Sequence, residues 1–200
     1  MATKASQKAR TMQALLHALQ DELLESGRLT VEAIAQRASV NKALLYRYFG
    51  GLDGLVIAFA SSEEFMPSAA TVLKQCGDGW LKLKPRERLL RCVQVYIHLL
   101  AARPATIQLL QRMPMFSDEI LAALSVGRSR EIEQIREAIG PHTPTIHFDG
   151  EMAFYLLISG ACSLLGNRHN KWYNCPQQLE ELAIRINNTL SALFLPVSSK

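Results

Sequence analysis

Apolar residues along this chain recur at spacings of three and four, the period that places them on one face of an α-helix. Met12, Leu15, Leu16, Leu19 and Leu23 mark a first helix ending near Ser26-Gly27. Thr30 then precedes a short helical stretch, Val31–Ala38, and Asn41 precedes a second, Lys42–Phe49. Both leading residues carry the side-chain oxygen that a helix N-terminus needs for its free N–H groups. Gly50-Gly51 breaks the pattern, and a fourth helix is expected from about Asp53 to Met66, where Pro67 stops it.

The later elements are longer. Pro85 suits the first position of a helix reaching about Ala102, and Pro104 opens another to Arg112. Met113-Pro114-Met115 is a break. Ser117 can cap a helix that carries Asp118 and Glu119 in its first turn, favourable to the helix dipole, and runs to about Ile139. Gly140-Pro141-His142-Thr143-Pro144 reads as a loop, followed by helices over about Asp149–Arg168 and Pro176–Phe194. No alternating strand pattern, repeat or low-complexity tract interrupts this. The expected fold is all-α: an N-terminal three-helix helix-turn-helix domain at 6–66, then a larger helical domain at 67–200.

Composition adds limits rather than identity. Hydrophobic residues make up 48% of the 200 positions and charged residues 20%, the balance of a globular chain with its own core. A chain of this size buries roughly 70% of the surface its unfolded form exposes. The longest apolar run, Phe154–Leu165, falls short of the roughly 18 residues a membrane span requires and contains Ser159 and Ser163. Lys4, Lys8 and Arg10 lead into an amphipathic stretch, unlike a signal peptide. Cys76, Cys92, Cys162 and Cys175 are dispersed, which fits reduced thiols in a cytoplasmic protein. His142 and His147 lack the spacing and company of metal ligands, so no metal and no cofactor are expected. The net charge is +4; residues 1–50 hold seven basic and four acidic side chains, the remainder fifteen and fourteen. That tilt permits nucleic-acid binding without arguing strongly for it.

The residues at 31–50 argue more strongly. Two short helices packed at a steep angle demand apolar positions, met here by Ile34, Ala38, Val40, Leu45 and Tyr48, and a small residue at the crossing, met by Ala35. Ser39 and Val40 make the turn. Leu45 and Phe49 fall on the buried side of the second helix, whereas Ala43, Leu44 and Arg47 point the other way with Lys42 in the exposed first turn. An exposed leucine beside two basic residues suits contact with a thymine methyl in the major groove.

The run Leu29-Thr-Val-Glu-Ala-Ile-Ala-Gln-Arg-Ala-Ser-Val-Asn-Lys-Ala-Leu-Leu-Tyr-Arg-Tyr-Phe49 resembles the DNA-binding motif of the tetracycline-repressor (TetR) family, most specifically in its Thr-Val-x-x-Ile-Ala opening and Leu-Tyr-x-Tyr-Phe close. The match covers about Ala9–Phe59. The resemblance implies that Thr30 contacts phosphate, that Tyr46 and Tyr48 touch the DNA backbone, and that Lys42, Ala43, Leu44 and Arg47 read bases. Tyr48 is equally suited to the core, and Lys8 and Arg10 to phosphate contact or to solvent. Two departures stand out. Ser39 occupies a place where the family often has glycine, at a cost of about 1 kcal/mol if the residue is left-handed. Gly50-Gly51-Leu52 replaces a stretch that often carries a phosphate-gripping lysine, leaving the backbone N–H groups of the fourth helix for that task.

A repressor of this kind needs two recognition helices about 34 Å apart, so a homodimer on a pseudo-palindromic double-stranded operator is expected. The last two helices are the candidates for its interface: Ser159, Gly160 and Ser163 allow close approach, and Leu179, Leu182, Ile186 and Leu190 form an apolar stripe continuing to Leu193. The same stripes could bury within their own chain. The resemblance further implies a pocket for a small apolar effector among the middle helices, with Trp80, Tyr96, His98, Met113, Met115, Phe116, Phe154, Tyr155 and Trp172 as candidate lining. Any of these could equally be core.

An enzyme on a helical bundle finds no support, since there is no Glu-x-x-His pair, no phosphate loop and no nucleophile-base arrangement. Two readings remain: a dimeric repressor released by a small effector, and a DNA-binding regulator controlled by a protein partner or constitutive.

Overall fold

The computed structural model describes residues 4–25, 29–112, 116–140, 150–166 and 178–194. Among these the regular structure is helical, with no strand. The described chain divides into two compact units, one formed by residues 1–65 with 112–127 and the other by 66–111 with 128–200.

The first unit opens with α1, Lys4–Glu25, followed by α2, Val31–Arg37, α3, Lys42–Phe49, and α4, Leu52–Ala60. The first helix turns Leu15, Leu19 and Leu23 of its predicted stripe inward with Ala18 beside them, whereas Met12 and Leu16 are half-buried. Ile34 and Ala35 from α2, Leu45 from α3, and Leu55, Val56 and Phe59 from α4 complete the core. Burying each of the larger side chains contributes about 1.5–3 kcal/mol. Helix α4 ends at Ala60, well short of Met66. There the Ser61 hydroxyl donates back to the Ile57 carbonyl at 2.8 Å and the Ser62 hydroxyl to that of Phe59 at 2.7 Å, local bonds that compete with helix continuation. Phe65 returns to the core edge-on to Phe59, with centroids 5.4 Å apart.

The junction of α3 and α4 depends on glycine. Gly50 and Gly51 both have positive φ, 77° and 142°, and the two helix axes bend by 59° across them. The turn brings the carbonyl oxygen of Phe49 against the Cα of Gly54, leaving no room for a Cβ there.

In the second unit, α5, Ala69–Gln75, and a single 3₁₀ turn, Trp80–Lys82, precede α6, Pro85–Ala101. Helix α6 is the spine of this unit. Leu89, Leu90, Cys92, Val93, Tyr96, Ile97 and Leu100 are all buried, and α6 packs on α5, α7 (Pro104–Gln111), α9 (Gly150–Gly166) and α10 (Leu179–Phe194). Helix α8, Asp118–Ile139, runs from the first unit into the second. A polar clasp sets the register of α6 on α10: the Gln94 amide donates to the Ser191 hydroxyl at 2.7 Å and the Asn187 carbonyl at 3.2 Å, and the Asn187 amide donates to the Gln94 carbonyl at 3.2 Å. Helix α5 and the 3₁₀ turn have no counterpart in the periodicity. Seven residues span barely two turns, and the N-cap of α5 by Ser68, whose hydroxyl accepts from Thr71 N–H at 3.2 Å, was its one local signal.

Gly54→Ala is expected to destabilise the first unit by roughly 1–3 kcal/mol, because its clash is with backbone that cannot rotate away; chemical denaturation followed by circular dichroism measures it. Gly50→Ala, whose added Cβ meets open space and only the positive φ, is expected to cost about 1 kcal/mol.

Candidate nucleic-acid interface

The interface begins with two caps and a turn. The Thr30 hydroxyl accepts from the Ala33 N–H at 3.2 Å, and the Asn41 side-chain oxygen accepts from the Ala43 N–H at 2.8 Å. Between them the chain reverses through a Schellman motif. Val40 N–H donates to the Ala35 carbonyl and Ser39 N–H to that of Gln36, both at 3.0 Å. Ser39 takes the left-handed conformation at φ 55°, the one non-glycine residue among those described to do so. The strain anticipated at this position is therefore present.

Helix α2 is tied to α1 by charge. Arg37 donates from Nε to the Glu22 carboxylate at 2.7 Å and from Nη2 to that of Glu25 at 2.6 Å. The bonds to Glu25 and Glu22 hold the guanidinium in its charged form, with its pKa raised above the ordinary value. Glu22 is otherwise buried, so this pair locks the first helix against the second and keeps Arg37 from acting as a free cation.

Helix α3 then presents its outer face. Leu45 is buried; Lys42, Ala43, Tyr46 and Arg47 are exposed, Tyr46 by 53%. Leu44 is half-buried rather than exposed, and Phe49 is half-buried rather than enclosed. In both cases the helical wheel gave the direction, but neighbouring elements decide how much of the side chain is covered. Thr30 is exposed at the start of α2. Lys42 makes a loose surface pair with Glu32 at 3.5 Å, weak enough to yield to a phosphate. Tyr48 is half-buried between two cations: Lys8 Nζ from α1 stands 5.6 Å from its ring centroid and the Arg47 guanidinium carbon 6.0 Å. Lys8 thus joins the face carrying Tyr48 and Arg47. No sequence spacing could couple residues forty positions apart.

Residues 27–59 match the sequence profile described as "Bacterial regulatory proteins, tetR family". That stretch, which holds α2, α3 and nearly all of α4, is similar to the DNA-binding head of tetR-family regulators. The fold extends the likeness over nearly the whole chain. It is similar to the fatty acid degradation regulator FadR from Bacillus halodurans, at 16% identity and a TM-score of 0.66 over 95% of this chain and 97% of that one. A tetR-family regulatory protein from Rhodococcus is similar at 18% identity and a TM-score of 0.62, covering 96% and 97% of the two chains. The tetR-family regulator PfmR from Thermus thermophilus gives 17% and 0.58 over 94% and 97%. At such identities the likeness is one of fold. No curated protein sequence matches the chain.

Of the residues expected to line a pocket, Trp80, Tyr96, His98 and Phe116 have described side chains. Trp80 and Tyr96 are buried in the second unit, Tyr96 to 1% exposure, whereas His98 on the same helix is exposed. Phe116 is half-buried and groups with the first unit. Phe154 and Tyr155 lie on α9, where their side chains are not described, and Met113, Met115 and Trp172 lie outside the described residues. His142 and His147 do too; among the described residues no three His, Cys, Asp or Glu side chains cluster as metal ligands would. A groove of about 410 Å³ opens between α9 and α10. Leu156, Leu157, Gly160, Leu164, Leu182, Ile186 and Leu190 line it, with Arg185 and Thr189. It thus contains four residues expected at a dimer interface: Gly160, Leu182, Ile186 and Leu190. Ser159 and Ser163 are exposed on α9, and Leu179 is half-buried. No single described helix is long and apolar enough to cross a membrane.

Asn41→Ala removes the acceptor that starts α3 and is expected to cost about 1 kcal/mol of stability. Asn41→Asp should restore most of it, as read by denaturant unfolding.

Proposed function

We propose that this chain is a tetR-family transcriptional regulator, a dimeric repressor that grips a pseudo-palindromic operator and is released from it by a small, largely apolar effector. The observation that carries the DNA-reading part is the outer face of α3: Lys42, Ala43 and Arg47 exposed in succession from a capped N-terminus, with Tyr46 beside them. In this reading Lys42, Ala43, Leu44 and Arg47 meet base edges, Leu44 with only part of its side chain available. Thr30, Tyr46 and Tyr48 hold the DNA backbone, with Lys8 as an added cation. The DNA-binding domain occupies 6–66 and the remainder, 67–200, serves assembly and sensing.

The groove on α9 and α10 supports the dimer. Met152, Leu156 and Ile184 are exposed large apolar side chains on these two helices, an arrangement that costs solubility unless another surface covers it. Two recognition helices on one rigid dimer then meet successive major grooves about 34 Å apart. An effector that favours a wider spacing of the two heads lowers operator affinity by its preference for that state. Because the similar FadR is a regulator of fatty acid degradation, fatty-acid derivatives are the first class to screen. The burial of Trp80 and Tyr96 in the core favours the second reading to that extent: a regulator controlled by a protein partner, or constitutive.

Selection from random duplexes is expected to return a pseudo-palindrome; recovery of no preferred sequence would overturn the operator. Arg47→Ala should relax discrimination at one base position in each half-site by about 1–3 kcal/mol, whereas a uniform loss over all sequences would make Arg47 a phosphate contact. Leu156→Glu places a charge on the exposed apolar face and is expected to shift the protein from dimer to monomer in sedimentation equilibrium, with its helix content unchanged.

A further inference from the structure

Two thiols meet in the second unit. Cys76 closes the C-terminus of α5 and Cys92 lies in the middle of α6, and their sulfur atoms are 3.5 Å apart. We propose that Cys76 and Cys92 are a peroxide-sensitive pair that closes to an intramolecular disulfide.

The geometry calls for little movement. A disulfide needs its sulfur atoms about 2.05 Å apart, so the pair must close by about 1.5 Å. Helix α5 is only seven residues long, and the segment after it, Gly77-Asp78-Gly79, is exposed, with both glycines at positive φ. This is the side from which a small oxidant reaches Cys76, 5% exposed, before Cys92, which is fully buried. Arg91 donates from Nε to the Cys76 carbonyl at 3.2 Å, placing a positive charge beside the first sulfur. The hydrogen bond shared with Cys92 lowers the Cys76 thiol pKa, with Arg91 assisting against burial, while the same bond and its own burial push Cys92 up. Cys76, the more accessible sulfur and the one beside Arg91, is the attacking thiolate, and the enclosed Cys92 is the resolving thiol.

The Cys76 thiolate attacks one oxygen of hydrogen peroxide. The O–O bond breaks, the sulfur is oxidised to a sulfenic acid, and hydroxide leaves. Cys92 sulfur then attacks the sulfenic sulfur, the S–O bond breaks, and the oxygen departs as water with the Cys92 proton. One peroxide is reduced for each disulfide formed, and a dithiol returns the pair to its starting state.

The full-length folded protein, treated with hydrogen peroxide and digested without reductant, should yield a peptide joining Cys76 to Cys92 that dithiothreitol separates. In Cys92→Ser the sulfenic acid has no resolving partner, and dimedone should label Cys76 there but not in the unmodified chain. Oxidation that consumes Cys162, which is more accessible, while Cys76 and Cys92 remain free would overturn the proposal. So would a Cys76–Cys92 link that appears only after denaturant is added.

Discussion

Helix α3 can present a reading face only because the chain leaves α2 through a turn whose backbone allows one direction. The turn is held from both sides. Val40 and Ser39 return their N–H groups to Ala35 and Gln36, satisfying carbonyls that the end of α2 would otherwise leave free. Ala35 is small and buried beneath the crossing, so α3 packs close enough to bury Leu45. Once Leu45 is buried, the 3.6-residue period assigns the rest: Lys42, Ala43, Tyr46 and Arg47 face outward because they cannot do otherwise. Ser39, held at φ 55°, carries the local cost of this arrangement.

Charge plays a secondary part. The excess of the first fifty residues is small, and the structure reduces what is free to meet phosphate, since Arg37 is engaged by Glu22 and Glu25 and Lys42 leans on Glu32. The cations that remain well placed, Lys8 and Arg47, flank a single aromatic ring. In the proposed complex, affinity would come from directed contacts: side chains of a capped helix toward base edges, hydroxyls toward the DNA backbone, and N–H groups at helix starts. The proposed operator contact therefore depends on the pose of α3 more than on the field around it.

The head was the more legible half, for a physical reason. Its constraints are local: Thr30 and Asn41 are caps visible as single residues, and the spacing of Ile34, Ala35, Ala38 and Leu45 is fixed by a crossing only a few residues away. Both N-caps and the bounds of α3 and α8 fall where the pattern put them. Contacts of long sequence separation were not legible. The approach of Lys8 to Tyr48 and the meeting of Cys76 with Cys92 are both set by packing. Helix α4 stopped early because two serine hydroxyls compete for its last carbonyls, a choice between two local hydrogen-bond patterns that apolar periodicity does not encode.

The second unit shows the limit of periodicity from the other side. A stripe of leucines and aromatics states that a helix face leaves water, but not what it leaves water for. On α6 the stripe is core, and Tyr96 is enclosed by its own chain. On α9 the residues divide. Ile158, Ala161 and Leu165 turn into the unit, whereas Leu156, two positions before Ile158, is 64% exposed and borders an open apolar groove. Both sets look alike as letters. They differ because α6 and α10, clasped through Gln94, Asn187 and Ser191, are placed to cover only one side of α9. The uncovered side is continuous with the apolar stripe of α10, so the same clasp that builds the unit's core also defines the surface on which the proposed dimer must form.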